Sequence, residues 1–397
     1  MLKKPAKRLI KIIKRIVLKW YRACIKLFPV NKNIILFESN LGRNYTGNPK
    51  AIYEEMVKQG LDSKYRCYFI LEDMKTTIPG KGKKIKRSRL RYFFLFAVAG
   101  VWVSDSRLPK YLIKRDKCRY IQTWHGTPLK KLALDMDSVY MAGVSTLDSY
   151  KRNFFNNAQT WDYLISQNHY STEIFRRAFA FDKDILEVGY PRNDILFQKN
   201  NEEDIRKLKI DLGLPLDKRI ILYAPTWRDN EFYGKGRYKF NPALDFSMLQ
   251  AELKEDMVLI VKYHYLIMDV IDWSPYKDFV YSYDINHDIA SLYLVSDMLI
   301  TDYSSVMFDY SILQRPMLFY CYDLDKYKDT LRGFYFDFLE EAPGPVVLTT
   351  DKLIEEIKEY NPLKYIDKQK AFAMKYNHID DGQASKRVVD LIQSFME

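Results

Sequence analysis

The residues of this chain best suited to chemistry fall just beyond short apolar runs that read as strands. After Arg119–Thr123 comes Trp124-His125-Gly126-Thr127-Pro128. This places a histidine, which titrates near neutrality, before a glycine that lets a ligand approach the backbone and a Thr-Pro pair suited to starting a helix. After Arg219–Tyr223 comes Ala224-Pro225-Thr226-Trp227-Arg228-Asp229, and Lys262 closes the next strand ahead of Tyr263 and His264, adding two cations and a second histidine to one edge. After Met298–Thr301, Asp302-Tyr303-Ser304-Ser305 leads into a helical stretch, so free backbone N–H groups and two hydroxyls stand where helix starts bind anions. Asp309, one turn beyond Ser305, can accept hydrogen bonds from ligand hydroxyls. Each signal alone is weak, since a lone strand-end histidine is more often structural and a Ser-Ser helix start is usually a cap. Their shared location carries the argument: together they make a pocket for a diphosphate.

The elements that must position these residues alternate β-rich runs with helical stretches, the pattern of a mostly parallel sheet wrapped by helices. In the first half, strands are expected at Asn33–Glu38, Arg66–Leu71, Gly100–Ser104, Arg119–Thr123, Tyr163–Ser166 and Ile185–Val188. A polar helix and a Gly/Pro turn follow over Asn200–Pro215. The pattern then restarts with Arg219–Tyr223, Val258–Lys262, Phe279–Tyr281, Met298–Thr301 and Pro316–Tyr320. This restart predicts two similar α/β domains, 31–205 and 216–397, in line with a length of 397 residues. In open α/β sheets ligands bind at the carboxyl ends of strands, so the loops named above are where chemistry belongs.

Composition narrows the class further. With 47% hydrophobic and 29% charged residues and only 15 Gly and 15 Pro, the chain is neither disordered nor low-complexity. Cys24, Cys67, Cys118 and Cys321 lie far apart, so neither a disulfide framework nor a zinc site is indicated. The net charge of +12 does not mark a nucleic-acid binder, because it resides in two patches: ten Lys/Arg and no acid in residues 1–26, and seven more in the 81–91 run KGKKIKRSRLR. On a helical wheel Leu9, Ile10, Ile13, Ile16, Val17, Trp20, Tyr21, Cys24, Leu27 and Phe28 share one half, and the bases occupy the other. Residues 1–28 are therefore expected to be an amphipathic helix lying in an anionic membrane surface, too interrupted by charge to span it. The 81–91 run reads as a solvated face or an extension of that patch. Asp135/Asp137 and Asp323/Asp325 form DxD pairs of a kind that holds a divalent cation, but here they read as surface or capping residues. No GxGxxG follows a strand and no P-loop is present, and His169, His287 and His378 fall in polar stretches.

WHGTP at Trp124–Pro128, GYPRND at Gly189–Asp194, YAPTWRD at Tyr223–Asp229, KxH at Lys262–His264 and TDYSS with Asp309 form an ordered set. RP at Arg315-Pro316, RGFYFD at Arg332–Asp337, PGP at Pro343–Pro345 and DGQAS at Asp381–Ser385 extend it. The set resembles the CDP-glycerol glycerophosphotransferases of teichoic acid synthesis, from about Asn31 to the C-terminus. The resemblance implies a GT-B fold, two Rossmann-like domains facing across a cleft, with monotopic attachment at the cytoplasmic face of a bacterial cell membrane. It implies CDP-glycerol as donor substrate, no other cofactor and no metal, and a polyprenyl-diphosphate-linked acceptor; self-association stays open. Carried onto this chain, it makes His125 the general base, with Trp124, Gly126, Thr127 and Pro128 around it. It brings Arg192, Pro225, Thr226, Lys262 with Tyr263, and His264 to the donor phosphates, His264 as the second catalytic histidine. Ser304, Ser305 and Asp309 hold the donor. The long polymerases of the family carry a substantial extra N-terminal region, so this chain's brevity favours addition of one or a few units, and the WHGTP and GYPRND forms resemble the chain-extending members more than the primase. A ribitol-phosphate transferase or a poly(glycerol phosphate) polymerase of the same family, or a non-catalytic membrane-surface binding protein, are the alternative readings.

Overall fold

The computed structural model describes Ile12, Ile16, 18–139, 146–226, 232–234, 237–238, 243–263, 271–324 and 333–396. His264, Trp227–Asp229, Arg332 and most of residues 1–17 lie outside the described residues.

The apolar runs become two doubly wound sheets. The first contains β1 (Asn31–Glu38), β2 (Arg66–Leu71), β3 (Lys83–Lys86), β4 (Ala99–Ser104), β5 (Arg119–Gln122), β6 (Tyr163–Ser166) and β7 (Asp184–Glu187), in the order β3-β2-β1-β4-β5-β6-β7. Its pairs from β3 through β6 are parallel. Next in the chain come β8 (Arg219–Tyr223) and a small antiparallel pair, β9 (Phe232–Gly234) with β10 (Arg237–Tyr238). Then follow β11 (Met257–Val261), β12 (Val280–Ser282), β13 (Met298–Thr301), β14 (Met317–Tyr320) and β15 (Val346–Val347). The second sheet has the order β12-β11-β8-β13-β14-β15, parallel throughout. In each sheet the chain starts centrally, winds to one edge, then returns to the other side of its first strand. A crevice for ligands therefore opens at the carboxyl ends between β1 and β4, and again between β8 and β13.

Strand periodicity of two places alternate residues on opposite faces, and in a parallel sheet both faces are covered. In the second sheet Ile220, Leu222, Val258, Ile260 and Leu299 enter one core with Met307 and Phe308, while Ile221, Tyr223, Leu259, Val261 and Ile300 enter the other with Leu249 and Leu353.

The strands of the first sheet fall within 31–205 and those of the second within 216–397. By packing, the chain divides into two compact units that interleave in sequence. The first is Met1–His125 with Gln159–Ile165 and Ser385–Glu397, and the second is Gly126–Ala158 with Ser166–Ala384. The boundary falls inside the WHGTP motif, between His125 and Gly126.

Four strands, β3, β9, β10 and β15, escape the sequence pattern, and for β3 and β15 the reason is physical. The run Lys83-Lys84-Ile85-Lys86 contains one buried residue, Ile85, because β3 is an edge strand, where lysines guard unpaired backbone. β15 is only two residues long. The basic run is also less solvated than its composition indicates. Lys84 Nζ donates to the Met74 and Thr76 carbonyls, each at 2.7 Å, Lys86 Nζ donates to the Glu72 carbonyl, and Arg87 Nε donates to buried Glu38 Oε1 at 3.1 Å.

Of the N-terminal segment, Ile12, Ile16 and 18–24 are helical, followed by a 3₁₀ turn at Ile25–Leu27. No helix among the described residues is long and apolar enough to cross a membrane.

Candidate active site

In the first unit, everything around His125 follows from how the chain leaves β5. Thr123 N donates to Ser104 O at 2.9 Å, extending the ladder past the strand. Trp124 then takes a left-handed backbone, φ +52°, which a bulky residue adopts only where its surroundings hold it there. Two groups do so: Gln122 Oε1 accepts from Trp124 N at 3.0 Å, and Asn48 Nδ2 donates to the Thr123 and Trp124 carbonyls at 3.2 and 3.1 Å. The reversal lays the exposed His125 ring on the Trp124 indole, with centroids 4.4 Å apart and planes 28° apart. His125 Nδ1 lies 2.9 Å from the main-chain oxygen of Asp105. A carbonyl can only accept, so Nδ1 carries the proton and Nε2 presents its lone pair. Asp105 follows β4, and its Oδ1 accepts from Asn40 N at 2.8 Å and Ser106 Oγ at 2.7 Å. The loops after β1, β4 and β5 are thereby tied together at the first crevice.

In the second unit, Gly126, Arg192, Ser305 and Asp309 converge. A Cβ on Gly126 would stand 2.7 Å from Ser305 Oγ, 3.2 Å from Ser305 Cβ and 3.9 Å from Arg192 Nη2, so this position admits only glycine without displacement. Arg192 Nη2 donates to Asp309 Oδ2 at 2.5 Å, and its guanidinium lies 5.2 Å from the Tyr190 ring centroid. Asn193 Nδ2 donates to Asp309 Oδ1 at 2.9 Å. Asp309 is only 2% exposed, and both its oxygens accept from protein donors. The helix after Ser304-Ser305 is short, Val306–Tyr310, with both serines half-buried at its start. The expected helix at Thr127-Pro128 does not form. The chain there is drawn out instead, with Lys131 N donating to Gly333 O at 2.8 Å and Tyr335 N to Leu129 O at 3.0 Å.

The second crevice, between β8 and β13, is bridged by one carboxylate. Asp302 Oδ1 accepts from Thr226 N at 2.9 Å and Thr226 Oγ1 at 2.5 Å, which fixes the Pro225-Thr226 turn. Lys262 is buried and donates to the Asp284 carbonyl. Burial pushes its pKa down to about 8, with Asp288 and Asp284 pulling back upward. The Tyr263 ring stacks on Trp273 at 6.2 Å, and burial raises its phenol.

Several motif residues brace these segments. Asp194 Oδ1 accepts from Ala384 N at 3.0 Å and Gln198 Nε2 donates to Gly382 O at 2.8 Å, so two side chains of the short helix that follows GYPRN hold the DGQAS backbone. Arg315 Nη1 donates to the Leu294 and Ser296 carbonyls at 2.7 and 2.6 Å, closing the end of the helix Ile289–Val295. Gly344 of PGP passes so close to Met317 O that a Cβ would lie 1.9 Å from it. Asp135 accepts from Tyr335 Oη at 2.8 Å and from Arg177, while Asp137 is exposed and pairs with Lys131. Among the described residues no group of three or more His, Cys, Asp or Glu is arranged to hold a metal ion. Sequence reasoning missed Asn48, Gln122, Asp105, Gln167 and Asp380, none of which stands in a recognisable spacing, and it gave no role to Asn193 although that residue lies within GYPRND.

Two doubly wound parallel sheets with candidate groups at their carboxyl ends define a Rossmann-type α/β protein of GT-B-like class. Within that class, the chain belongs to the CDP-Glycerol:Poly(glycerophosphate) glycerophosphotransferase family, whose model matches residues 20–394. It is 46% identical over 368 residues to the teichoic acid poly(glycerol phosphate) polymerase of Bacillus spizizenii, covering 92% of this chain and 93% of that protein. It is 45% identical to the enzyme of the same name from Bacillus subtilis, spanning 97% of this chain but only 52% of that relative, about half its length. A solved structure of the wall teichoic acid polymerase TagF, in a variant form soaked with CDPG, superposes with a TM-score of 0.88 at 42% identity over 99% of this chain and 98% of that one. The expectation that brevity separates short extension from polymerisation does not hold, because the Bacillus spizizenii relative is a polymerase of nearly this length.

Proposed function

We propose that the protein transfers glycerol phosphate from CDP-glycerol to the glycerol-phosphate end of a polyprenyl-diphosphate-linked wall teichoic acid precursor, releasing CMP. The observation that carries this reading is the His125 pin: Nδ1 held at 2.9 Å by the Asp105 carbonyl leaves Nε2 as the proton acceptor. The acceptor hydroxyl attacks the β-phosphorus of CDP-glycerol and its proton passes to Nε2. The new O–P bond forms as the bond from the β-phosphorus to the bridging oxygen breaks, and CMP leaves with that oxygen. Lys262, His264, the Ser304-Ser305 backbone and Arg192, aimed by Asp309, stabilise the charge that develops on the phosphate oxygens. Trp124 orients the base, Thr226 with Pro225 shapes the edge at which the donor lies, and Tyr263 walls the Lys262 side.

Attachment to the membrane surface, the second part of the proposal, is supported by the apolar groups the first unit exposes. Trp20 is 68% exposed, Leu27 76% and Leu90 82%, and the half-exposed rings of Phe28 and Phe94 meet edge-on at 5.4 Å. This patch adjoins the basic 81–91 run in sequence, and such a pairing of apolar and basic groups suits the cytoplasmic face of an anionic bilayer.

The test is CMP release from CDP-glycerol with a glycerol-phosphate-primed lipid, followed by sizing of the product. Acceptor-dependent release is expected. Release with CDP-ribitol alone would change the substrate, and none with either donor would overturn the transferase reading in favour of a binding protein.

A further inference from the structure

Asp380 lies outside every motif named above, yet within the second unit its carboxylate joins the segments that carry three of the candidate site residues. Oδ2 accepts from Gln167 Nε2 at 2.8 Å and from Asn377 Nδ2 at 3.3 Å, and Oδ1 accepts from Tyr190 N at 3.3 Å. Gln167 Oε1 in turn accepts from Thr127 Oγ1. Direction matters in this chain of bonds. Both oxygens of Asp380 accept here, so the carboxyl group draws the amide nitrogen of Gln167 to itself and turns the amide oxygen towards Thr127, whose hydroxyl then donates; burial pushes the Asp380 pKa up to about 7, and the hydrogen bonds from Gln167 and Asn377 pull it back down. Asn377 is held in the same sense, its Nδ2 also donating to Phe308 O at 2.8 Å and its Oδ1 accepting from Ser311 Oγ at 2.5 Å.

The partners of Asp380 are the neighbours of the site. Thr127 follows Gly126, which packs on Ser305, and Tyr190 supports the Arg192 guanidinium that Asp309 receives. Gly189 shows how closely the loop is drawn in. Its φ is +80°, and a Cβ there would stand 2.7 Å from Asp380 Oδ1, so both conformation and space demand glycine.

We propose that Asp380 is a positioning residue for the donor site: by fixing the hydrogen-bond polarity of Gln167 and Thr127 and holding Tyr190 N, it sets Gly126 and Arg192 around Ser305. It touches no reacting atom, and its effect is on donor binding rather than on proton transfer. The inference rests on the donor reading given above.

A reciprocal swap tests it. D380N puts an amide nitrogen against donors, which forces Gln167 to turn and breaks the bond from Thr127. Adding Q167E restores an acceptor for Thr127 and gives the introduced amide a carboxylate to donate to, at unchanged total charge. The expected result is a rise of about tenfold in the KM for CDP-glycerol in D380N with kcat within about twofold, and recovery to within about twofold of wild type in the Q167E/D380N pair. Melting temperatures report whether each variant is folded. Should D380N not fold, Q167E alone, which sets two carboxylates together, is compared with the pair, and rescue is expected there too. An unchanged KM in the single variants, or a double variant no better than either single, overturns the proposal. The same comparison by calorimetric titration with CDP separates the two readings. If wild type binds CDP but not CDP-glycerol, the donor assignment fails, and the swap is still read from CDP affinity.

Discussion

A main-chain oxygen that can only accept fixes the proton of the neutral His125 ring on Nδ1, and the side chain of Asp105, itself held by Asn40 N and Ser106 Oγ, keeps that oxygen in place. Lys262 shows the same dependence on surroundings. Burial lowers its pKa to about 8, so the free protein loses the ammonium as pH rises through that value. If the ammonium receives the donor diphosphate, CDP-glycerol affinity falls about tenfold between pH 7 and pH 9, following the charged fraction, and K262M binds weakly with no such slope. Calorimetric titration at the two pH values checks this, and an equal slope in K262M would remove Lys262 from the donor site. At this scale the sequence is readable where a residue type is unusual for its place, as with a glycine and a histidine just beyond a strand. It is silent where partners are distant along the chain: Arg192 meets Asp309, and Asp380 meets Gln167, across separations that no local spacing encodes.

Among the elements, the central strands are legible because β8, β11, β13 and β14 are covered on both faces and so need nearly unbroken apolar runs. β3 is not, because an edge strand is selected for charge. The segment after Thr127 reads as a helix start, yet it is drawn out because its real partner, the strand-like stretch Gly333–Tyr335, is remote in sequence. The carboxyl end of β1 carries a testable cost. Glu38 is wholly buried and burial raises its pKa to about 7, against the pull of Arg87. The folded state therefore holds a proton that the unfolded chain releases from about pH 4.5, and stability falls as pH rises from there to about 7, then levels. E38Q lacks this term, so its stability relative to wild type improves by up to ~3 kcal/mol across that window, at about 1.4 kcal/mol per pKa unit. Denaturant melts at several pH values measure it. A wild type that gains on E38Q with rising pH would mean that the Arg87 pair outweighs burial.

For the whole molecule, two doubly wound sheets are foreseeable from the restart of the strand pattern after Pro215, whereas the return of Ser385–Glu397 to the first unit is not, since nothing in a terminal helix names its partner. The surface patch of the first unit bears on where the molecule works. Ile25 is buried and Tyr21 packs on Phe93, so removing residues 1–28 would also strip the core, and point changes are cleaner. W20E with L90E is expected to abolish sedimentation with anionic vesicles while leaving melting temperature and CDP-glycerol binding unchanged; undiminished sedimentation would contradict membrane attachment through this patch. The most direct test of the account is acceptor-dependent CMP release from CDP-glycerol by wild type and by H125A, with donor affinity measured in parallel. Loss of the base predicts a fall of about 10²- to 10⁴-fold in release with donor affinity within about twofold. Release by H125A within a few-fold of wild type would contradict it.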